Sequence, residues 1–384
     1  DYVIRPLLDD STSFGEYLQK YGGFTYGSPF ASGENVQVYL SSTGFYIALL
    51  KLTQSITHIP PELFLQCMRV LFATLTAGLL TAISLRLKKK FGLVVSLIFS
   101  SFCLVTFWLM GPASHLIWFF PILLLPICIS IFLYPLVVRK EWAFKRFLII
   151  CLIGYFLVFL RSYVYAPVMV LSGAIPVFFY EIAQHKNWKS VLRKCIQVCL
   201  IGVAGFGLAI LVHFVQLWHY LGTAIDAANL LFSRAMYRSA GGDLNQQTTL
   251  EVFQRWMAVE VFYLPKEKFI NFAKWETTYT RFNTLQNFHI LSFFAVVYTA
   301  ILLMINKLHR VGDGLTRKQQ NILIAFLLTL PASMLSSWSW FAALGHMSHH
   351  YHMNGIMYMI PFGLVAFMLF GVLVEYTFQM LLKP

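Results

Sequence analysis

An all-α polytopic membrane protein is the fold class this sequence predicts, and three observations predict it. Of 384 residues, 58% are hydrophobic and only 12% are charged, against about 25% charged in an ordinary soluble domain. Mean hydropathy is +0.67. Apolar runs near the ~20 residues of a bilayer-crossing helix recur along nearly the whole chain.

The elements follow in order. Residues 1–61 form a polar leading region that contains "STGFYIALLKLTQSI" (42–56), apolar but too short and interrupted for a span. It reads as a short interfacial helix. Spans are expected over 63–86, 92–111, 116–138, 147–163, 166–183 and 195–216, a bundle of about six within 62–216. Segment 217–288 carries two mixed stretches, 224–239 and 250–264, in which apolar residues alternate with charges such as Asp226, Arg234, Arg255 and Glu260. Amphipathic helices lying in the interface fit that pattern. The region 289–384 adds spans at 289–306, 321–340 and 354–378.

Orientation comes from the basic residues. Four clusters occur, at 86–90, 139–146, 186–194 and 307–318, and they fall in alternate connections. By the positive-inside rule these connections face the cytoplasm. Residues 1–61, segment 217–288 and the loop "GHMSHHYHMNG" (345–355) then share the extracytoplasmic face. Nine spans with an external start lead to the expectation of one further helix before Asp1. The net charge of +13 follows from this topology signal, so nucleic acid is not an expected partner.

Other chemistries lack their signatures. The six cysteines lie in or beside apolar segments with no CxxC spacing, and read as small core residues. There is no N-x-S/T sequon, Walker A, Rossmann fingerprint or GxSxG motif. No cofactor and no metal are expected.

The polar residues assigned to the external face are the candidates for function. Asp9, Asp10 and Glu34 are carboxylates able to deprotonate an acceptor hydroxyl. Arg161 closes a span, Arg234 and Arg238 lie one helical turn apart, and His346, His349, His350 and His352 crowd one short loop. Arg and protonated His hold phosphate oxygens by charge-assisted hydrogen bonds. Each has a plainer reading beside it. The Asp pair makes a solvated patch, Glu34 sits in a turn, and Arg161 snorkels to headgroups. Arg234 and Arg238 touch anionic lipid, and the histidines line a polar loop. The i, i+3/i+4 spacing of His346 with His349 or His350 also suits metal ligands, but no carboxylate stands nearby to complete a usual set. Trp and Tyr in "SSWSWF" (336–341) read as interfacial anchors.

The arrangement resembles the GT-C superfamily of integral-membrane glycosyltransferases. An acidic first external loop precedes a short external helix, a span ends in "RLKKKFG", and a large amphipathic external segment comes before the last spans. What the resemblance implies is a helix bundle with amphipathic extracytoplasmic helices, in a bacterial inner or plasma membrane. A sugar would move from a polyprenyl-phosphate-linked donor to an extracytoplasmic glycan, lipid or protein acceptor, with inversion. It further implies an acidic base soon after the first span, which falls on Asp9 or Asp10, or on Asp1 if the preceding helix ends there. Arg161, Arg238 and His352 would face the donor phosphate. The metal-ligand pair of oligosaccharyltransferases is not evident in this chain.

Two rival classes remain at this level. A transporter or flippase for a lipid-linked or amphipathic anion would use the same basic and aromatic residues as a guide. Against it, charges are sparse at mid-span and no matched pair of broken helices is visible. A non-catalytic membrane subunit would dock a partner on its external helices.

Overall fold

A computed structural model describes residues 13–21, 24–26, 38–39, 42–113, 116, 119–184, 186–236, 316–340 and 354–381. Apart from a two-residue antiparallel ladder, β1 (Thr25–Tyr26) with β2 (Val38–Tyr39), the regular structure is helical. The all-α expectation holds at this level.

Five helices among the described residues are long and apolar enough to cross a membrane. Two short helices, α1 (Phe14–Tyr21) and α2 (Phe45–Thr57), precede α3 (Pro61–Phe91), the first of the five. Next come α4 (Leu93–Val105), α5 (Phe107–Ala113), α6 (Phe120–Leu123), α7 (Leu125–Val138) and α8 (Phe144–Arg161). The second and third long helices are α9 (Ala166–Ala183) and α10 (Trp188–Leu221), followed by α11 (Ala224–Met236). The fourth is α12 (Arg317–Trp338). The fifth combines α13 (Asn354–Tyr358), a wide turn at Met359–Gly363, and α14 (Leu364–Leu381).

Two expected spans are broken. The run 92–111 divides at Thr106, whose backbone is extended (φ −84°, ψ 107°) and whose hydroxyl donates to the Phe102 carbonyl at 2.6 Å. Hydropathy registers only apolar length, so a polar residue that interrupts the helix passes unseen. The run 116–138 divides between α6 and α7, where Pro121 and Pro126 each occupy the start of a helix. Proline has no N–H and favours a first turn, so two prolines five residues apart start two helices. The runs 63–86 and 195–216 instead extend into helices of 31 and 34 residues. The expected elements at 250–264 and 289–306 lie outside the described residues.

Burial separates centre from periphery. In the fifth long helix 94% of its apolar window is inside the protein, against 28% in both α3 and α10. The last helix is therefore the axle of the bundle. The exposed faces of α3 and α10 carry Val70, Leu75, Leu85, Ile196, Leu200 and Leu211, the side chains a lipid-facing surface is made of. Helix α10 approaches α8 closely at Gly205, where an added Cβ would stand 2.8 Å from the Tyr155 Cβ and 3.0 Å from the Phe156 nitrogen. Small residues permit such close helix contacts in a bundle.

Described members of all four basic clusters gather at one end. Arg86, Arg139 and Lys318, from three different clusters, act electrostatically on Lys90. Lys194, from the remaining one, reaches the Glu181 carboxylate at 3.0 Å and stands 6.0 Å from the Phe144 ring. Helix α8 starts beside that group and runs to Arg161, about 25 Å away along its axis. Arg161 thus marks the opposite end.

Candidate functional site

At the Arg161 end the chain builds a seam from three separate segments. Helix α8 stops at Ser162, which is extended (φ −168°, ψ 130°). A 3-10 turn, Tyr163–Tyr165, then leads into α9, where Pro167 occupies the first turn. The Leu160 carbonyl has no partner within α8 because the helix ends there. The Thr43 hydroxyl donates to it, and the same oxygen accepts from the Phe45 N–H at 3.2 Å. One threonine therefore closes the end of α8 and opens α2.

Tyr46, a turn further along, donates its hydroxyl to the Leu157 carbonyl at 2.9 Å. Burial pushes the Tyr46 phenol well above its usual range, and the Arg161 charge pulls weakly the other way. That phenol is a neutral donor at any ordinary pH.

Arg161 is partly exposed, with its guanidinium carbon 5.6 Å from the Tyr165 ring centroid. Its positive charge at the last turn of α8 also suits the negative end of the helix dipole. Tyr165 is in turn packed on Trp340, ring centroids 5.4 Å apart, and Trp340 is fully buried. Trp340 ends the 3-10 extension of α12, five residues before the histidine-rich loop begins in the sequence.

The leading region is tied to the same end at a second place. Ser13 and Glu16 form a capping box on α1, with Ser13 N–H to Glu16 at 2.7 Å and Glu16 N–H to Ser13 at 3.3 Å. Buried Tyr17 packs on Ile47 and Ala48 of α2 and donates to the Phe24 carbonyl at 2.9 Å. Phe24 then meets His213 of α10 edge-on at 5.8 Å, and His213 lies 5.6 Å from Tyr163.

Of the residues singled out from sequence, Arg161 and Arg234 are described. Arg161 sits in the seam. Arg234 is exposed on α11, a helix that Thr223 starts by accepting from the Asp226 N–H at 3.1 Å. Helix α11 buries only Ala227, against Leu217 of α10 and Phe24. No contact joins Arg234 to Arg161 among the described residues. Asp9, Asp10, Glu34, Arg238, His346, His349, His350 and His352 lie outside the described residues.

Two polar residues at this end were not singled out. Lys51, on α2, is 2% exposed, and His213, on α10, is fully buried. Lysine is almost never buried without a partner, so Lys51 is part of how this end is held. A signal existed for both: each is a lone basic residue inside an apolar run, "YIALLKL" and "AILVHFV". The average hydropathy of either run conceals it.

Comparison with protein-family models, curated proteins and solved structures finds no match for this chain.

Proposed function

We propose that the chain is a membrane glycosyltransferase that moves a sugar from a polyprenyl-phosphate-linked donor to an extracytoplasmic acceptor with inversion. The observation that supports this reading is the seam at the Arg161 end. There the region that follows Asp9 and Asp10, the turn after Arg161 and the end of α12 come together. This end lies opposite the described members of the four basic clusters, and the positive-inside rule reads such an end as extracytoplasmic.

The chemistry then assigns itself in balanced steps. A carboxylate, Asp9 or Asp10, takes the proton of the acceptor hydroxyl as its oxygen attacks the anomeric carbon. The bond from that carbon to the phosphate oxygen breaks, and polyprenyl phosphate leaves with the electron pair. Arg161 holds the phosphate as its charge grows, a contribution made most strongly in the transition state. Glu34, Arg234, Arg238 and the histidines of 346–352 are further members of the proposed site, as base or phosphate ligands.

The test is sugar transfer by the protein reconstituted in liposomes with a panel of polyprenyl-phosphate sugars. Arg161→Gln is expected to reduce turnover by roughly 100-fold, the scale of one lost transition-state donor. Asp9→Asn or Asp10→Asn is expected to abolish transfer with the thermal unfolding midpoint unchanged. Undiminished activity in Asp9→Asn, Asp10→Asn and Glu34→Gln alike would remove the base from this assignment, and no transfer by the unaltered protein from any donor would remove the reaction.

A further inference from the structure

At the end opposite Arg161 lies a cavity of about 60 Å³ that the proposed reaction does not use. It is enclosed by α3, α7, α9, α12 and α14, a set that includes parts of four of the five long apolar helices. Its walls are Ile83, Leu87, Ile131, Phe179, Phe326 and Met368. From Lys90 at the rim to Ile83 within, the slot follows about two turns of α3, roughly 10 Å.

The interior asks for an apolar guest. The one hydroxyl on the α12 wall, Thr329, already donates to the Ala325 carbonyl of its own helix at 2.6 Å. Water would find too few partners there to stay. The rim asks for an anion. Lys90 is exposed and held with its ammonium 4.1 Å above the Tyr180 ring, and Arg86 lies beside it, 5.6 Å over Phe132.

Charge at this end is far from balanced. The four basic clusters contribute fourteen described Lys and Arg, while the described carboxylates beside them are Glu141, Glu181 and Glu375. Each of these three is already engaged. Glu141 pairs with Arg139 at 3.0 Å, Glu181 with Lys194 at 3.0 Å, and Glu375 accepts from the Val94 N–H at 3.2 Å. The protein's own described acids therefore leave Arg86 and Lys90 without a carboxylate. An apolar slot among membrane-spanning helices, with two cations at its mouth, is matched by one kind of molecule.

We infer that this slot binds an anionic phospholipid, the phosphate held by Lys90 and Arg86 and the first part of one acyl chain entering between Ile83 and Phe326. A bound lipid would bridge α3 to α12 and α14 and offset part of the surplus charge. The inference concerns the end remote from Arg161 and stands or falls independently of the reaction proposed there.

Native mass spectrometry of the detergent-purified protein tests it, with phosphatidylglycerol and phosphatidylcholine of identical acyl chains as probes. Unaltered protein is expected to retain one phosphatidylglycerol in preference to phosphatidylcholine. Removing both cations (Arg86→Gln with Lys90→Gln) is expected to erase that preference, at roughly fivefold per charge. Lys145→Gln with Lys189→Gln, at the same end but outside the slot, is expected to leave it intact. Equal retention of the two lipids, or equal loss in both double variants, would overturn a specific site in favour of diffuse surface attraction. A cryo-EM map of unaltered protein in phosphatidylglycerol nanodiscs needs no variant: chain density in the slot supports the site, and a vacant slot refutes it.

Discussion

The two ends of the bundle solve the problem of charge in opposite ways. At the basic end, cations are abundant and mostly exposed, and three carboxylates stand among fourteen described Lys and Arg. At the Arg161 end, three basic residues are drawn inward, Arg161 half-buried against Tyr165 with Lys51 and His213 buried, while Lys20, Arg69 and Arg234 stay exposed. Many exposed charges set orientation and tune lipid contact, each contributing little. A few buried ones cost several kcal/mol each unless partnered, so their survival in the fold points to specific work. The difference locates where substitution is expected to matter.

The largest effect on stability is expected where the basic end departs from its own pattern. Glu181 is 1% exposed and joins three helices, accepting from Tyr134 at 2.7 Å and from Lys194 at 3.0 Å. Glu181→Ala is expected to cost about 3 kcal/mol, the low end for breaking a buried pair because the Lys194 ammonium can turn toward solvent. Glu181→Gln keeps an acceptor for Tyr134 and is expected to cost less than half as much. Thermal unfolding in detergent reads both, and equal losses would mean the charge, not the hydrogen bond, is what counts.

Next comes the packing that carries Arg161. Gly205→Ala places a methyl against the α8 backbone at Phe156, and an expected loss of about 1–3 kcal/mol follows from overpacking. Since α8 ends in Arg161, this variant is expected to weaken the proposed sugar transfer as well. A loss of stability with full activity would separate the bundle from the seam.

Smaller again is Thr43→Val, which removes the donor to the Leu160 carbonyl while keeping the shape of the side chain. About 1–2 kcal/mol is expected, because the buried Leu160 carbonyl loses its donor and the Phe45 N–H loses its acceptor. Smallest is Arg234→Gln. This residue is exposed on a helix that buries only Ala227, and an effect on stability within about 0.5 kcal/mol is expected. A large effect on transfer from Arg234→Gln would bring α11 into the site and blur the contrast between the two ends.

Much of the architecture was readable beforehand, for particular reasons. The helices over 166–183 and 321–340 were placed to within a few residues because long apolar runs bounded by Lys, Arg or Pro carry their own limits. The separation of the two ends was readable because basic clusters recur in alternate connections. What failed was continuity: Thr106 and the pair Pro121 and Pro126 broke two runs whose average hydropathy concealed them. At the candidate site Arg161 was legible as a span-ending cation. Lys51 and His213 were not, since one basic residue hardly lowers the mean of a long apolar window.

By itself the sequence determined the solvent this chain is made for, where its long apolar runs lie, and that its basic residues cluster between them. Those properties are sums over local residues, and composition and spacing carry sums. Only the tertiary structure decided that the last helix is the central one, that Thr43 completes the end of α8, and that Lys90 and Tyr180 meet at the mouth of an apolar slot. These are contacts between residues 90 or more positions apart, set by the mutual fit of helix surfaces, and no local pattern records which surface meets which.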